Sequence, residues 1–113
     1  MSHQKHQACI EECVRCAQEC EHCADACLGE ADVKMMAECI RLGRDCAAFC
    51  WMAAAFMSRD SRFAAALCRL CADACDACGA ECAKHRQDHC QRCAEACRKC
   101  AEAVEHLRSR GLL

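Results

Sequence analysis

Cysteine recurs along this chain at alternating intervals of three and four residues. Cys9, Cys13, Cys16, Cys20, Cys23 and Cys27 are spaced 4, 3, 4, 3 and 4 apart. Cys68, Cys71, Cys75, Cys78 and Cys82 follow at 3, 4, 3 and 4, then Cys90, Cys93, Cys97 and Cys100 at 3, 4 and 3. A mean of about 3.5 residues holds one residue type on the face that a helix turns toward a partner helix. Leu and Ile fill such positions in most bundles. Here thiols do, so the stripe that should be apolar is a column of soft metal ligands.

The rest of the composition agrees with helix. The sequence has 113 residues, no Pro and only four Gly, with twenty-three Ala that favour helix almost everywhere. That length suits one domain with a single core, residues 1–113. Outside Cys and Ala only 21 residues are apolar, thin for an ordinary core. Neutral thiols behave as small hydrophobes and can fill the gap in a metal-free state.

So many cysteines mean either a secreted disulfide scaffold or metal binding. The opening residues, MSHQKHQACIEEC, contain no apolar run like that of a signal peptide, so a reducing cytoplasm is the default expectation. Geometry also disfavours disulfides. Thiols three or four residues apart on one helix stand about 5–6 Å apart at Cβ, whereas a disulfide wants about 3.5–4.5 Å. The longest uncharged apolar stretch, Cys46 to Met57, is too short to span a bilayer. Formal net charge is −2 with Lys and Arg scattered, so no basic stripe points to nucleic acid.

The periodicity predicts a first helix from about His6 to Leu28, with Gly29 as a left-handed C-cap. Asp32 is the expected N-cap of a second helix carrying Cys39, Cys46 and Cys50, continued by Ala53 and Met57. Ser58 to Ser61 marks the next break, and a third helix carries Cys68 to Cys82. Asp88 with Gln91 fits a capping box for a fourth, whose stripe runs on through Val104 and Leu107 toward Gly111. Gly43 and Gly79, inside helices, are candidates for close helix contact. Phe49, Phe56, Phe63 and Trp51 are expected to form an apolar plug or a subunit contact. The fold class is therefore all-α, an antiparallel four-helix bundle with a cysteine-lined core.

Four such stripes would line one lumen about 30 Å long. Soft, monovalent Cu(I) prefers thiolate sulfur and accepts two or three ligands, so nearly one ion per thiolate keeps the core close to neutral. Zinc wants four ligands, and each four-thiolate site would carry a −2 charge beside neighbours that are mostly Ala. Iron–sulfur clusters also take four thiolates, usually from loops whose amides bond the sulfurs. An enzyme is not indicated: a nucleophilic Cys needs one distinguished thiol and an activating base, and these cysteines look interchangeable. Zinc or iron–sulfur binding, or a metal-independent helical module, remain the alternatives.

The chain resembles the bacterial cytosolic copper storage proteins, cysteine-rich four-helix bundles that load many Cu(I) ions. The resemblance rests on the run Cys13-x2-Cys16-x3-Cys20-x2-Cys23-x3-Cys27-Leu-Gly-Glu and on Cys39-Ile-Arg-Leu-x3-Cys46-x3-Cys50. It extends through Cys75-x2-Cys78-x3-Cys82-x2-His85-x3-His89-Cys90-x2-Cys93. It implies Cu(I) held mainly by the core cysteines, a cytosolic copper store, a copper donor or acceptor protein as partner, and a homo-oligomer such as a tetramer. In that family the bundle is open at one end, where His or Met residues handle incoming copper. His85 and His89 fall at the end shared with Cys27, Cys39 and Cys90, as terminal ligands or as surface loop residues. Met35 and Met36 share that end, as thioether ligands or core filler, and Met52 and Met57 sit toward the other. His3, His6, His22 and His106 are expected at the surface.

Overall fold

The computed structural model describes residues 2–113, with side chains from Gln4 onward, so the expectation for His3 lies outside what is described. Four α-helices follow one another: α1 (Gln7–Cys27), α2 (Ala37–Ser58), α3 (Ala64–Cys82) and α4 (Asp88–Ser109). Short 3₁₀ turns, Ser2–His6 and Val33–Met36, lead into α1 and α2. Each helix packs on its two neighbours around a square, α1 on α2 and α4, and α3 on α2 and α4. The result is an up-down-up-down antiparallel bundle about 47 × 21 × 18 Å.

The stripes decide which face each helix buries. Cys9, Cys13, Cys16, Cys20, Cys23 and Cys27 of α1 are all buried, as are every cysteine of α3 and α4. Helix α2 shows why its own column is sparse. Its buried positions run Cys39, Gly43, Cys46, Cys50, Ala53 and Met57, so Gly43 stands where the spacing calls for a thiol. A Cβ at Gly43 would lie 3.5 Å from the Cys20 carbonyl oxygen, and one at Gly79 would lie 3.3 Å from Cys97 Cβ. These glycines let α1 approach α2 and α3 approach α4 closely.

The helix ends differ from the sequence expectation. Gly29 is not left-handed; α1 ends on right-handed Leu28, whose N–H bonds Asp25 O at 3.1 Å. The left-handed position after α2 is taken by Asp60 (φ 54°), and Ser61 N–H reaches back to Phe56 O at 2.9 Å. Asp32 precedes the 3₁₀ turn rather than α2 and makes no side-chain cap bond. The Asp88/Gln91 capping box does not form. Gln91 Nε2 instead donates to the carbonyls of His85 (2.6 Å) and Ala83 (3.4 Å), tying the α3–α4 link to the first turn of α4. Gly111 (φ 70°) closes α4, with Leu112 N–H on Leu107 O at 2.8 Å.

The aromatic residues do not plug the core. Trp51 and Phe63 are exposed and Phe49 and Phe56 half-buried. Trp51 directly follows the inward-facing Cys50, so its ring turns outward and its Nε1–H meets Glu21 Oε2 at 3.3 Å. No described helix is long and apolar enough to cross a membrane.

Candidate metal centre

All eighteen cysteines are free thiols, and none is more than 2% exposed. Their sulfurs stack as a continuous ladder along the bundle axis. Near the middle, Cys16 Sγ lies 3.8 Å from Cys97, 3.9 Å from Cys20 and Cys75, and 4.0 Å from Cys46. Below this, Cys50 meets Cys71 at 3.5 Å and Cys100 at 4.0 Å, and Cys13 meets Cys100 at 3.6 Å. Above it, Cys93 meets Cys20 at 3.6 Å and Cys78 at 4.0 Å, and Cys39 meets Cys82 at 3.3 Å. These separations far exceed the ~2.05 Å of a disulfide. They suit sulfurs sharing an ion, because two metal–thiolate bonds of about 2.3 Å place their sulfurs at most about 4.6 Å apart.

The helical spacing supplies part of this geometry. Residues four apart share a face, and Cys16–Cys20, Cys23–Cys27, Cys46–Cys50 and Cys78–Cys82 each place their sulfurs 3.9 Å apart. The rest comes from packing four helices together. Four-sulfur groups with all sulfurs within 4.8 Å include Cys16/Cys46/Cys50/Cys75, Cys16/Cys20/Cys46/Cys97, Cys20/Cys78/Cys93/Cys97 and Cys50/Cys71/Cys75/Cys100. The groups overlap, and most of these sulfurs belong to more than one. Another, Cys23/Cys27/Cys39/Cys90, closes the end toward the α3–α4 link.

Burial and mutual contact decide the protonation of this core. Withdrawal from water pushes the thiols of Cys27 up to about 11 and Cys68 up to about 12. Inside the ladder, hydrogen bonds among neighbouring thiols and then burial hold Cys13, Cys20, Cys50, Cys75 and Cys97 well above the ordinary thiol range. Hydrogen bonds from the same neighbours pull Cys16, Cys39, Cys71, Cys78 and Cys93 the other way, and the raised thiols are those that stay neutral and pack as small hydrophobes without metal.

The histidines divide. His89 enters the ladder: its Nδ1 lies 3.4 Å from Cys23 Sγ, 3.5 Å from Cys90 Sγ and 3.9 Å from Cys27 Sγ. Its Nε2 donates to Glu30 Oε2 at 3.1 Å, and Gln87 Nε2 donates to the same carboxylate at 3.3 Å. Those two contacts, His89 first, hold the Glu30 carboxyl below the usual range. A carboxylate on one ring nitrogen orients the other toward a metal. His85 is turned away from the thiols and bonds Glu81 Oε2 at 2.9 Å. Of the methionines at this end, Met36 is buried and Met35 exposed. His22 and His106 are exposed, as expected.

His6 overturns its surface expectation. It is 2% exposed, and its Nε2 bonds Leu112 O at 2.9 Å. The roles of Glu30 and Gln87 were also invisible in the sequence: Glu30 ends the quoted Cys27-Leu-Gly-Glu run, but nothing in the spacing pairs it with His89, and Gln87 belongs to no pattern.

A helical bundle with a lumen built from overlapping thiol groups belongs to the class of multi-ion metal-binding storage bundles. The chain belongs to the copper storage protein family (Csp), whose model matches residues 2–109. It is similar to the Cu(I)-bound copper storage protein BsCsp3, with 48% identity over 90% of this chain and 96% of that one and a TM-score of 0.87. The apo form of copper storage protein 3 from Bacillus subtilis gives 48% identity, 89% and 96% coverage and a TM-score of 0.85. A cytosolic copper storage protein from Streptomyces lividans, holding five coppers, gives 45% identity, 96% and 95% coverage and a TM-score of 0.90. Comparison with curated protein sequences gives no match.

Proposed function

We propose that the chain, acting as one storage domain, holds many Cu(I) ions on its eighteen cysteine thiolates and releases them to a protein acceptor in the cytoplasm. The observation that carries this reading is the overlap of the thiol groups: Cys16, Cys20, Cys46, Cys50, Cys75 and Cys97 each sit in more than one four-sulfur group. A structural zinc site takes a full set of four ligands, and with four thiolates it would leave a −2 charge in this buried core. Thiolates that each bridge two monovalent ions fit the overlap, and the charge stays near zero because one proton leaves for roughly every ion bound. Family membership and the Cu(I)-bound relative support the same ion. Copper K-edge absorption of protein loaded under anaerobic conditions tests it. Sulfur-dominated coordination with short copper–copper scattering, and only a minor nitrogen contribution from the ladder ends, is the expected spectrum; isolated copper centres would contradict it.

At the end formed by Cys23, Cys27, Cys39 and Cys90, His89 completes a mixed sulfur–nitrogen mouth through which copper is admitted, with His85 in a supporting place beside Glu81. Glu30→Gln removes the carboxylate that orients His89. It is expected to weaken copper held at this end by about tenfold, read as earlier release of the mouth ions to a competing chelator. An unchanged release profile would remove Glu30 from the account. The exposed side chains of Trp51, Met52 and Phe63 are a ready surface for self-association, and a homo-oligomer such as a tetramer is the assembly we propose.

A further inference from the structure

The opposite end of the ladder contains a feature that the cysteine stripe does not explain. There the last thiols are Cys9 on α1 and Cys68 on α3, and the stripe passes on to Met57 of α2 and Val104 of α4, both fully buried. Three residues before Cys9, on the same helical face, stands His6. The 3₁₀ turn that carries it packs on both α1 and α2. The C-terminal residues cover this end: left-handed Gly111 turns the chain so that the Leu112 carbonyl meets His6 Nε2 at 2.9 Å.

A carbonyl oxygen can only accept, so Nε2 carries the proton and, in the neutral ring, Nδ1 keeps a bare lone pair. That Nδ1 is buried and has no hydrogen-bond partner. A buried acceptor without a donor is costly to maintain. The arrangement is that of a metal-binding imidazole, whose distal N–H is fixed by a backbone carbonyl while the other nitrogen faces the ion.

We propose that His6 Nδ1 and Cys9 Sγ form a terminal Cu(I) site at the capped end of the ladder, with Cys68 facing it from α3. Residues at i and i+3 along a helical turn are neighbours, typically about 5–6 Å apart at Cβ, a spacing that lets one soft ion sit between imidazole nitrogen and thiolate sulfur. One thiolate and one neutral imidazole around a monovalent cation leave no net charge, which suits a site sealed from solvent. The proposal rests on the Cu(I) reading above.

Long-range proton–nitrogen NMR of the full ¹⁵N-labelled chain tests it, comparing metal-free protein with protein loaded anaerobically with Cu(I). In the metal-free state His6 Nδ1 should resonate as an unprotonated ring nitrogen and Nε2 as N–H. On full loading the Nδ1 signal should move upfield while Nε2 stays protonated, a change that a merely structural latch would not produce. His6→Phe, which keeps the bulk, should lose about one equivalent of copper and retain the rest. A loaded ladder with an unmoved Nδ1 resonance would overturn this site alone. Failure of the wild-type chain to take up Cu(I) at all would overturn both this site and the copper reading. If His6→Phe does not fold, the wild-type spectra still decide.

Discussion

Loading with Cu(I) is expected to raise the thermal unfolding midpoint by more than about 15 °C over the metal-free protein. A ligand that binds the folded state alone stabilises it by about 4.1 kcal/mol per site at a thousandfold excess over its dissociation constant. For a chain of this size each kcal/mol moves the midpoint by roughly 4–8 °C, so a single tight site already accounts for the predicted shift. The unfolded chain also offers eighteen thiols, which trims the gain. Only the folded bundle brings sulfurs of the other three helices within 4.0 Å of Cys16 Sγ. The metal-free protein should itself be helical, because its cysteines are buried and pack as small side chains without metal. Circular dichroism melts of both forms check this. A random-coil metal-free spectrum, or equal midpoints, would contradict a preformed ladder.

The second large effect concerns the middle of the ladder. Cys16 and Cys46 both belong to the groups Cys16/Cys46/Cys50/Cys75 and Cys16/Cys20/Cys46/Cys97. Replacing both with Ala should remove about three to four copper equivalents rather than two, because each sulfur is expected to bridge two ions. Each substitution also deletes a buried sulfur at a cost of roughly 1 kcal/mol, partly offset by the helix preference of Ala. The variant should therefore remain helical by circular dichroism. A loss of two equivalents or fewer would mean that the sulfurs act singly.

The helical stripes were legible because a 3–4 alternation has one structural solution, and α1, α3 and α4 bury every cysteine the spacing placed inward. The break at Ser58–Ser61 was legible too, since polar residues interrupt the stripe there. Cap chemistry was not. Gln91 fits a capping box by position, but the carbonyls of Ala83 and His85 lie within its reach and take its amide instead. Gly29 had the residue type of a left-handed cap, yet Asp60 adopts that conformation at a different helix end.

His6 and His89 show where local reading stops. His89 enters the ladder through a hydrogen bond to Glu30, 59 residues away in sequence. His6 is buried by a tail 106 residues away. Spacing along one helix reports which face a residue occupies; it carries no information on which distant segment will close over that face. The exposed Trp51 follows from the same limit, because in this bundle the thiols fill the lumen that aromatic side chains would occupy in an ordinary core.

The central claim is that the ladder holds many Cu(I) ions on shared thiolates. Anaerobic titration of the fully reduced chain with Cu(I), in competition with a chromophoric Cu(I) chelator, tests it most directly. Tight uptake of more than about ten equivalents per chain is the predicted result, since only bridging thiolates can hold so many. Saturation at about four equivalents or fewer, the number that separate four-sulfur sites would allow, would contradict it.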